Sequence, residues 1–378
     1  MNPDDRPDDR PLRRGWTTGA CATAAAKAAY AALLTGEFLD PVEITLPHGE
    51  RPSFALAVSS RETDSATAGV IKDAGDDPDV THGALILATV RAAAPGSGVA
   101  FRAGKGVGTV TRPGLPVPPG EPAINPAPRR MIRDAIADVA AAAAGGSGDV
   151  EVEIGVADGE RLAAKTLNAR LGIVGGLSIL GTTGIVVPYS CAAWIHSIQR
   201  GIDVARAAGL GHIAGATGSA SESAVQKFHG LPDVALIDMG DFVGGTLKYL
   251  RRHPVRRVTI AGGVAKMTKL AQGLLDLHSK RGAVDQAALA SFAAAAGASD
   301  MLAQRIMASN TAAEAFAYAA DANVMLGDEV ARAAQRAAAD VVASAGIDVE
   351  VLLFDRDGRL AGQAPFQLRH DAPERNRR

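Results

Sequence analysis

His212-Ile213-Ala214-Gly215-Ala216-Thr217-Gly218-Ser219 sets a pattern that the second half of the chain repeats. A mostly apolar segment of five residues predicts a buried strand, and the glycine and hydroxyl residues after it predict a tight turn. Further strands are predicted at 234–237, 257–261 and 349–354. Helices are predicted around them, at 192–208, 222–228, 242–251, 265–278, 285–295 and 329–343. Alternation of strands and helices is typical of an open, largely parallel α/β sheet.

The first half of the chain has a different pattern. The segment Thr17-Thr18-Gly19-Ala20-Cys21-Ala22 leads into an alanine-rich run at 24–34, and a threonine ahead of such a run is an N-cap signal for a helix. Apolar residues on one face predict a second helix through Ile132, Ile136 and Val139. Strict alternation predicts a half-buried strand at 150–156. Shorter strands are predicted near 42–46, 54–58, 84–90 and 107–111.

These patterns predict α/β and α+β structure in two domains. The first is an α+β domain at 12–185 with glycine- and threonine-rich loops, and the second is a Rossmann-like α/β domain at 186–365. Residues 1–11 and 366–378 are polar and rich in Asp, Arg and Pro. We expect them to form disordered tails.

The composition excludes several classes of protein. Of the 378 residues, 47% are hydrophobic and 21% are charged, and the net charge is −2, without the basic excess of a nucleic-acid binder. The two cysteines, Cys21 and Cys191, are too few for a disulfide framework. The sequence has no apolar run long enough to span a membrane and no signal peptide. We therefore expect a cytoplasmic protein that binds neither nucleic acid nor membrane.

The densest glycine- and threonine-rich segment extends from Gly172 to Val186 and contains Gly181-Thr182-Thr183-Gly184. Glycines let the backbone approach a ligand closely, and N–H groups and threonine hydroxyls offer donors. Such a surface suits a nucleotide-like cofactor with ribose and carboxylate groups. The alternative is a tight loop between packed strands. The segment is not a P-loop, because no Lys-Ser or Lys-Thr closes the required spacing.

Two more turns follow predicted strands of the second half. Ligands of open α/β sheets bind beyond the carboxyl ends of the strands. Asp238 follows the strand at 234–237, where its carboxylate would either hold a ribose hydroxyl or cap the next helix. The other residues at predicted strand ends are Thr217, Gly218, Ser221, Glu222, Gly262 and Gly263.

Acidic residues are concentrated at 72–83, where Asp76, Asp77 and Asp79 could bind a hard cation. The spacing is not that of an EF-hand, however. A solvated turn in which Asp side chains bond the backbone is favoured, and no metal site is predicted.

Glycine and arginine patterns follow in the next segment. Gly104-Lys105-Gly106-Val107-Gly108 superficially resembles a phosphate loop, but its second and third glycines fall at or inside a predicted strand, which favours a sheet contact.

Arg129, Arg130 and Arg133 fall on the first turns of the next helix, where positive charge opposes the helix dipole. That conflict indicates an anionic ligand.

The histidines give no catalytic motif. His196 lies beside Trp194 on a predicted helix, where a core or supporting role is favoured, and His278 ends the predicted helix 265–278 as a charge partner of its C-terminus. The sequence contains neither the Gly-x-Ser-x-Gly of a serine hydrolase nor the His-Glu-x-x-His of a zinc protease.

Six segments that occur in order along the chain are more specific together than any one of them. They are Arg14-Gly15-Trp16-Thr17-Thr18-Gly19-Ala20-Cys21-Ala22, Ile71-Lys72-Asp73-Ala74-Gly75-Asp76-Asp77-Pro78-Asp79, Gly106-Val107-Gly108-Thr109-Val110-Thr111, Gly120-Glu121-Pro122-Ala123-Ile124-Asn125-Pro126, Gly176-Leu177-Ser178-Ile179-Leu180-Gly181-Thr182-Thr183-Gly184-Ile185-Val186 and Met267-Thr268-Lys269-Leu270-Ala271-Gln272-Gly273. Together they resemble the cobalt-precorrin-5B C-1-methyltransferase family of anaerobic cobalamin biosynthesis, and the resemblance spans about Leu12 to His278. Trp16 stands where tyrosine or phenylalanine is expected, 216–219 is a looser match to the family's Thr-Gly turn, and few markers follow residue 280.

The resemblance implies methyl transfer from S-adenosyl-L-methionine to carbon 1 of a cobalt-bearing tetrapyrrole, cobalt-precorrin-5B, to give cobalt-precorrin-6A. An in-line displacement at a sulfonium methyl needs mainly positioning and exclusion of water. A conspicuous nucleophile is therefore unnecessary, in agreement with the sequence.

Roles follow for particular residues. Because the substrate is a polycarboxylate, basic residues are its expected anchors. Asp73 and His278 are the candidate proton acceptors. The expected substrate-side residues are Thr17, Thr18, Lys72, Lys105, Glu121, Asn125, Arg129, Arg130 and Arg133. The expected cofactor-side residues are Gly181, Thr182, Thr183, Gly184, Thr217, Gly218, Asp238, Gly262 and Gly263.

Two alternatives stay open at this point. Gly104–Gly108 suggests a nucleotide-dependent small-molecule kinase, which ATP with Mg²⁺ would stabilise. A non-catalytic corrinoid carrier would bind the tetrapyrrole without producing S-adenosylhomocysteine. A homo-oligomer and contact with neighbouring pathway enzymes are further possibilities.

Overall fold

The computed structural model describes residues 11–143 and 146–367. The chain divides into two compact units, residues 1–190 and 191–378. The first contains a mixed sheet and the second a mostly parallel sheet with helices, as predicted at this level of detail. Residues 1–10 and 368–378 of the predicted tails lie outside the described residues.

Among its described residues, the first unit combines three helices with short and medium strands. Its helices are α1 (Thr18–Thr35), α2 (Pro126–Ala142) and α3 (Gly159–Ala163). Its strands are β1 (Gly15–Trp16), β2 (Val42–Glu43), β3 (Ser53–Phe54), β4 (Val58–Arg61), β5 (Ser65–Ile71), β6 (Leu85–Ala92), β7 (Val99–Ala103), β8 (Gly106–Val107), β9 (Thr109–Val110), β10 (Val150–Val156), β11 (Ile173–Val174), β12 (Gly176–Leu177) and β13 (Ile185–Val186).

Helix α1 is the central element of the first unit. The Thr17 side chain accepts a hydrogen bond from Ala20 N at 3.1 Å, which confirms the predicted N-cap. Gly36, with a φ of 87°, ends the helix in the left-handed conformation that favours glycine. Because most of its buried residues are alanine, α1 packs closely against β5, β6 and α2.

The main sheet of the first unit has the strand order β4-β5-β6-β10-β7. Only the β7–β10 pair is parallel among these neighbours, and the other pairs are antiparallel. The prediction of a strand at 150–156 is confirmed, since every second residue of β10 is buried. Helix α2 adds the buried face predicted from Ile132, Ile136 and Val139. The core of the first unit therefore lies between this sheet and the two long helices.

The second unit alternates strands and helices. Its strands are β14 (His212–Ala216), β15 (Leu236–Asp238), β16 (Arg257–Gly263), β17 (Asp348–Phe354) and β18 (Leu360–Ala364). Its helices are α4 (Cys191–Ala207), α5 (Ser219–His229), α6 (Val243–Arg252), α7 (Val264–Ala271), α8 (Gln286–Ala295), α9 (Asp300–Met307), α10 (Ala312–Asp321) and α11 (Leu326–Val342). Short 3₁₀ turns occur at Asp233–Ala235, Ser279–Arg281 and Ala343–Ala345.

The sheet of the second unit has the order β15-β14-β16-β17-β18, with the first four strands parallel and β18 antiparallel. Side chains alternate between its two faces. Ala214 and Ala261 pack on one face with Val225 of α5, whereas Ile213 and Ile260 belong to the large cluster that includes α6, α7 and α11. Helix α5, which follows β14, therefore packs on one face of the sheet, and α7, which follows β16, packs on the other.

The predicted helix at 265–278 is wrong beyond Ala271. Gly273 has a φ of 85°, and Leu274 N donates to Lys269 O, which closes the helix as a left-handed C-terminal turn does. His278 therefore does not end a helix. It precedes the 3₁₀ turn Ser279–Arg281, and its Nδ1 accepts from Lys280 N at 3.2 Å.

Ten of the described elements carry no prediction from the sequence: β1, β5, β7, β11, β12, β13, β18, α3, α9 and α10. Strand β5 reads Ser-Ala-Thr-Ala-Gly-Val-Ile, where small residues replace the large alternating apolar side chains that mark a strand. In α10, the buried residues Ala312, Ala315 and Ala319 are all alanine, so no large apolar side chains mark the buried face. Among the helices within residues 11–143 and 146–367, none has the length and apolar character needed to cross a membrane.

Candidate functional site

Three neighbouring strands of the second unit bring five of the predicted residues together. Thr217 and Gly218 follow β14, Asp238 ends β15, and Gly262 and Gly263 end β16. The ends are tied by backbone hydrogen bonds from Thr217 N to Ala261 O and from Met239 N to Ala216 O, both 3.0 Å. All five residues therefore lie at one edge of the sheet, which we call the carboxyl edge.

Two helices begin at the carboxyl edge without a side-chain cap. Gly218 precedes α5 and Gly263 precedes α7, and neither offers a side chain to the first-turn N–H groups. Both glycines are exposed. Uncapped N–H groups and the positive end of the helix dipole favour an anion such as a carboxylate or phosphate.

Lys266 and Asp241 complete the carboxyl edge and were missed by sequence analysis. Lys266 Nζ donates to Thr217 O at 2.8 Å and lies 3.1 Å from Asp241 Oδ1. Asp241 Oδ1 is buried and accepts no hydrogen bond, although it pairs with Lys266. Buried polar atoms normally have a hydrogen-bond partner, so this oxygen is a candidate acceptor for a ligand. The only sequence signal that could have identified Lys266 is its position directly before the motif at 267–273.

In the first unit, the predicted glycine-threonine loop encloses the start of α1. Thr18 Oγ1 accepts from Leu180 N at 2.9 Å, and Thr17 N donates to Gly184 O at 3.0 Å. A Cβ added to Gly181 would lie 2.3 Å from the Thr17 side chain, and one added to Gly184 would lie 2.5 Å from Leu46. These glycines therefore have a packing role. Thr182 is exposed, and Thr183 bonds the backbone of Ile185.

Asp73 belongs to a second cluster of the first unit. It forms a two-pronged ion pair with Arg13 and accepts from Gly75 N at 2.9 Å. The hydrogen bonds from Arg13 and from the Gly75 backbone lower the pKa of Asp73 to about 2. A carboxylate with so low a pKa is a weak base at neutral pH, and this weakens the case for Asp73 as proton acceptor.

The neighbouring acidic side chains are occupied by protein groups. Lys72 is buried and forms an ion pair of 2.7 Å with Asp79, which also accepts from the Thr81 backbone. Asp76 accepts from Arg13 N and Asp77 from Tyr189 N. Residues 72–83 are thus the predicted turn in which Asp side chains bond the backbone.

The three predicted arginines of α2 have different surroundings. Arg129 is mostly buried: Nε donates to Ile124 O at 2.8 Å, Nη1 to Glu121 at 3.0 Å and Nη2 to Pro122 O at 3.0 Å. Arg130 and Arg133 are exposed. They border a cavity of about 260 Å³ whose lining is Pro116, Val117, Pro118, Pro126, Arg129, Arg130 and Arg133.

The remaining predicted residues of the first unit are dispersed around this region. Asn125 N donates to Ile179 O at 2.9 Å and precedes α2 without capping it through its side chain. Lys105 is exposed. A Cβ on Gly106 would lie 2.1 Å from Val156 O and one on Gly108 2.5 Å from Ile173, which confirms a sheet contact rather than a phosphate loop.

Comparison with known proteins identifies the family. The CbiD model matches residues 5–188, and the model of the CbiD C-terminal domain matches residues 276–365. The chain belongs to the CbiD family. This confirms the resemblance drawn from the six ordered segments and extends it past residue 280.

Curated relatives match nearly the whole chain. A protein of Bradyrhizobium sp. (strain BTAi1) is 64% identical over 363 residues, 96% of each chain. One of Agrobacterium fabrum is 61% identical over 368 residues, 96% of this chain and 97% of the relative. Both are named cobalt-precorrin-5B C(1)-methyltransferase. The crystal structure of a cobalamin biosynthesis protein (CbiD) from Archaeoglobus fulgidus is 29% identical and covers 71% of this chain and 83% of its own, with a TM-score of 0.39.

Proposed function

We propose that this chain is a cobalt-precorrin-5B C(1)-methyltransferase that takes its methyl group from S-adenosyl-L-methionine, and that the carboxyl edge of the second unit binds this donor. Support for the reaction comes from relatives of that name, with identities above 60% over 96% of the chain. Support for the location comes from the fold and from two glycines.

The strand order of the second unit supports a Rossmann-like, doubly wound sheet. Counted from β14, the order is 2-1-3-4-5, and the helices after β14 and β16 pack on opposite faces. In such sheets a crevice opens between the first and third strands, where the connections diverge, and ligands bind there. The crevice of this unit is bordered by Gly218 and Gly263.

The observation that carries the proposal is that the fold does not explain these two glycines. Among the described glycines, Gly218 and Gly263 alone combine a φ outside the left-handed region with no atom within 4 Å of an added Cβ. Neither backbone conformation nor packing therefore requires glycine at either position. A ligand lying directly against the backbone would require it.

The residues of the carboxyl edge fit the donor. S-adenosyl-L-methionine supplies an electrophilic methyl group on a positively charged sulfonium. The N–H groups of α5 and α7, with Lys266, suit its carboxylate. Asp238 is an acceptor for ribose hydroxyls, and Asp241 offers a carboxylate oxygen that pairs with Lys266 but accepts no hydrogen bond. Gly181 to Gly184 remain a prediction as further cofactor contacts.

For the tetrapyrrole we propose Arg130 and Arg133 as carboxylate anchors in the first unit. Both are exposed beside a cavity, whereas Arg129 already donates to three protein acceptors. The role of this chain in the reaction is to bind, orient and exclude water, which is the main requirement of a methyl displacement.

Calorimetry with S-adenosylhomocysteine on Gly218→Val and Gly263→Val tests the location. The valine side chains would meet no protein atom near Cβ, so we expect wild-type melting temperatures and a loss of affinity of about 30-fold or more, from about 2 kcal/mol of blocked contact. Gly211→Val is the matched control. Its Cβ would meet only Arg256 at 4.0 Å, at the opposite end of β14, and affinity should be unchanged.

Wild-type affinity in both glycine variants would show that the donor binds elsewhere. It would not contradict the proposed reaction. The reaction itself is tested by formation of S-adenosylhomocysteine from the donor and cobalt-precorrin-5B. Tetrapyrrole binding without that product would identify a carrier instead.

A further inference from the structure

A cluster of metal-binding side chains lies at the opposite edge of the same sheet. His212 is the first residue of β14, His229 the last residue of α5, and Glu350 the third residue of β17. Ligand atoms of the three residues all lie within 4.8 Å of one another. The carboxyl edge lies at the other end of β14, so this cluster is a separate site, which we call the amino-edge cluster.

Hydrogen bonds that include the Thr259 hydroxyl connect the three side chains. His229 Nε2 lies 2.5 Å from Glu350 Oε2, and Thr259 Oγ1 donates to the same oxygen at 2.6 Å. His212 Nε2 lies 2.8 Å from Thr259 Oγ1. His229 therefore directs Nε2 to the Glu350 carboxylate itself, and His212 directs Nε2 to the hydroxyl that donates to this carboxylate.

The surroundings partly exclude water from the cluster. Glu350 is 6% exposed and His229 is 19% exposed. The Phe366 ring stands edge-on to His212, with centroids 5.2 Å apart, and the Arg257 guanidinium lies 5.2 Å from the centre of that same ring. A buried carboxylate is costly unless it is paired with hydrogen-bond donors or a cation.

We propose that His212, His229 and Glu350 bind a divalent transition-metal cation of the zinc type. Two imidazole nitrogens and one carboxylate form a common zinc ligand set, whereas magnesium and calcium prefer oxygen ligands. Metal–ligand bonds of about 2.0–2.1 Å in a tetrahedron place ligand atoms about 3.3 Å apart. The 2.5 Å pair must therefore open slightly and the widest pair must close by no more than about 1.5 Å, movements within the reach of side-chain rotation.

The bound ion would leave each imidazole neutral, with its proton on Nδ1, and Thr259 beside the fourth position. It would connect the last residue of α5 to β14 and β17, and thereby fix the helix whose first turn lies at Gly218. The site is independent of the proposed methyltransferase activity, because it needs only residues of the amino edge.

The test uses the full chain after treatment with EDTA and dialysis. Zn²⁺ is titrated in competition with a chromophoric chelator, and bound metal is measured by mass spectrometry. We expect about one zinc ion per chain, as for a single site. In a second measurement, Co²⁺ is added to the wild-type protein in place of Zn²⁺. The bound cobalt ion should give the visible d–d bands of a site with nitrogen and oxygen ligands.

His229→Gln and Glu350→Gln should each weaken zinc binding by about 100-fold or more, since even residues outside the ligand set change affinity by up to that factor. Thr259→Val keeps all three ligands and should retain zinc binding. His48→Ala, an exposed histidine of the first unit, is the control for nonspecific binding. Wild-type protein that binds no more zinc than His229→Gln, or shows no d–d bands with Co²⁺, would identify the cluster as a hydrogen-bond network only.

Discussion

Replacing Arg129 by alanine should destabilise the first unit, although the sequence alone made this residue a substrate anchor. The guanidinium is mostly buried and donates to Ile124 O, Pro122 O and Glu121. Loss of the two charged bonds to backbone carbonyls costs about 1 kcal/mol each, and the half-exposed Glu121 adds less. With the stacking on Phe101 at 5.2 Å, the free energy of unfolding should fall by about 3 kcal/mol. Arg130→Ala should change it by about 0.5 kcal/mol or less, because that side chain is exposed.

Urea unfolding followed by tryptophan fluorescence measures this difference. The chain has two tryptophans, Trp16 in the first unit and Trp194 in the second, so a Trp194→Phe background reports on the first unit alone. In that background, Arg129→Ala should move the midpoint to lower urea and Arg130→Ala should not. Equal midpoints for Arg129→Ala and the parent protein would show that the three hydrogen bonds contribute nothing to folding. Weaker substrate binding by Arg130→Ala at an unchanged midpoint would identify Arg130 as a substrate anchor, in contrast to the structural role of Arg129.

Three further predictions concern other parts of the chain. Gly327→Ala should destabilise the second unit by about 3 kcal/mol in chemical denaturation, because an added Cβ would lie 1.7 Å from the carbonyl oxygen of Ala361 in β18; an unchanged midpoint would contradict this packing. The stability that Asp73 gains from Arg13 should be complete above its ordinary pKa of 3.8 and should disappear as the pH falls toward its folded pKa of about 2, so Asp73→Asn should reduce stability at neutral pH and have little effect near pH 2 in acid denaturation. An aromatic disulfide reagent should label Cys191, which is exposed, in native protein, and Cys21 only after unfolding, because burial raises the pKa of the Cys21 thiol to about 12; rapid modification of both would contradict the buried position of α1.

Local patterns predicted those parts of the site that lie in one short segment. A strand, a glycine turn and a helix follow each other within 212–229 and again within 257–271, so the carboxyl edge could be located from order alone. Lys266 and Asp241 are 25 residues apart, and their contact depends on how α7 packs. His229 and Glu350 are 121 residues apart in different elements. Such pairs arise from tertiary packing, which a period of two or 3.6 residues does not contain.

The glycine-rich segments show the same limit in another way, because glycine serves packing and ligand binding alike. In the first unit, a Cβ on Gly159 would lie 2.1 Å from Gly106 O, and one on Gly176 would lie 2.2 Å from the same oxygen. The two backbones therefore approach Gly106 at a distance that only glycine permits. Gly218 and Gly263 have open space instead. Glycine thus serves packing at Gly106, Gly159 and Gly176, whereas Gly218 and Gly263 combine an unfilled Cβ position with a φ outside the left-handed region, which supports the proposed ligand surface.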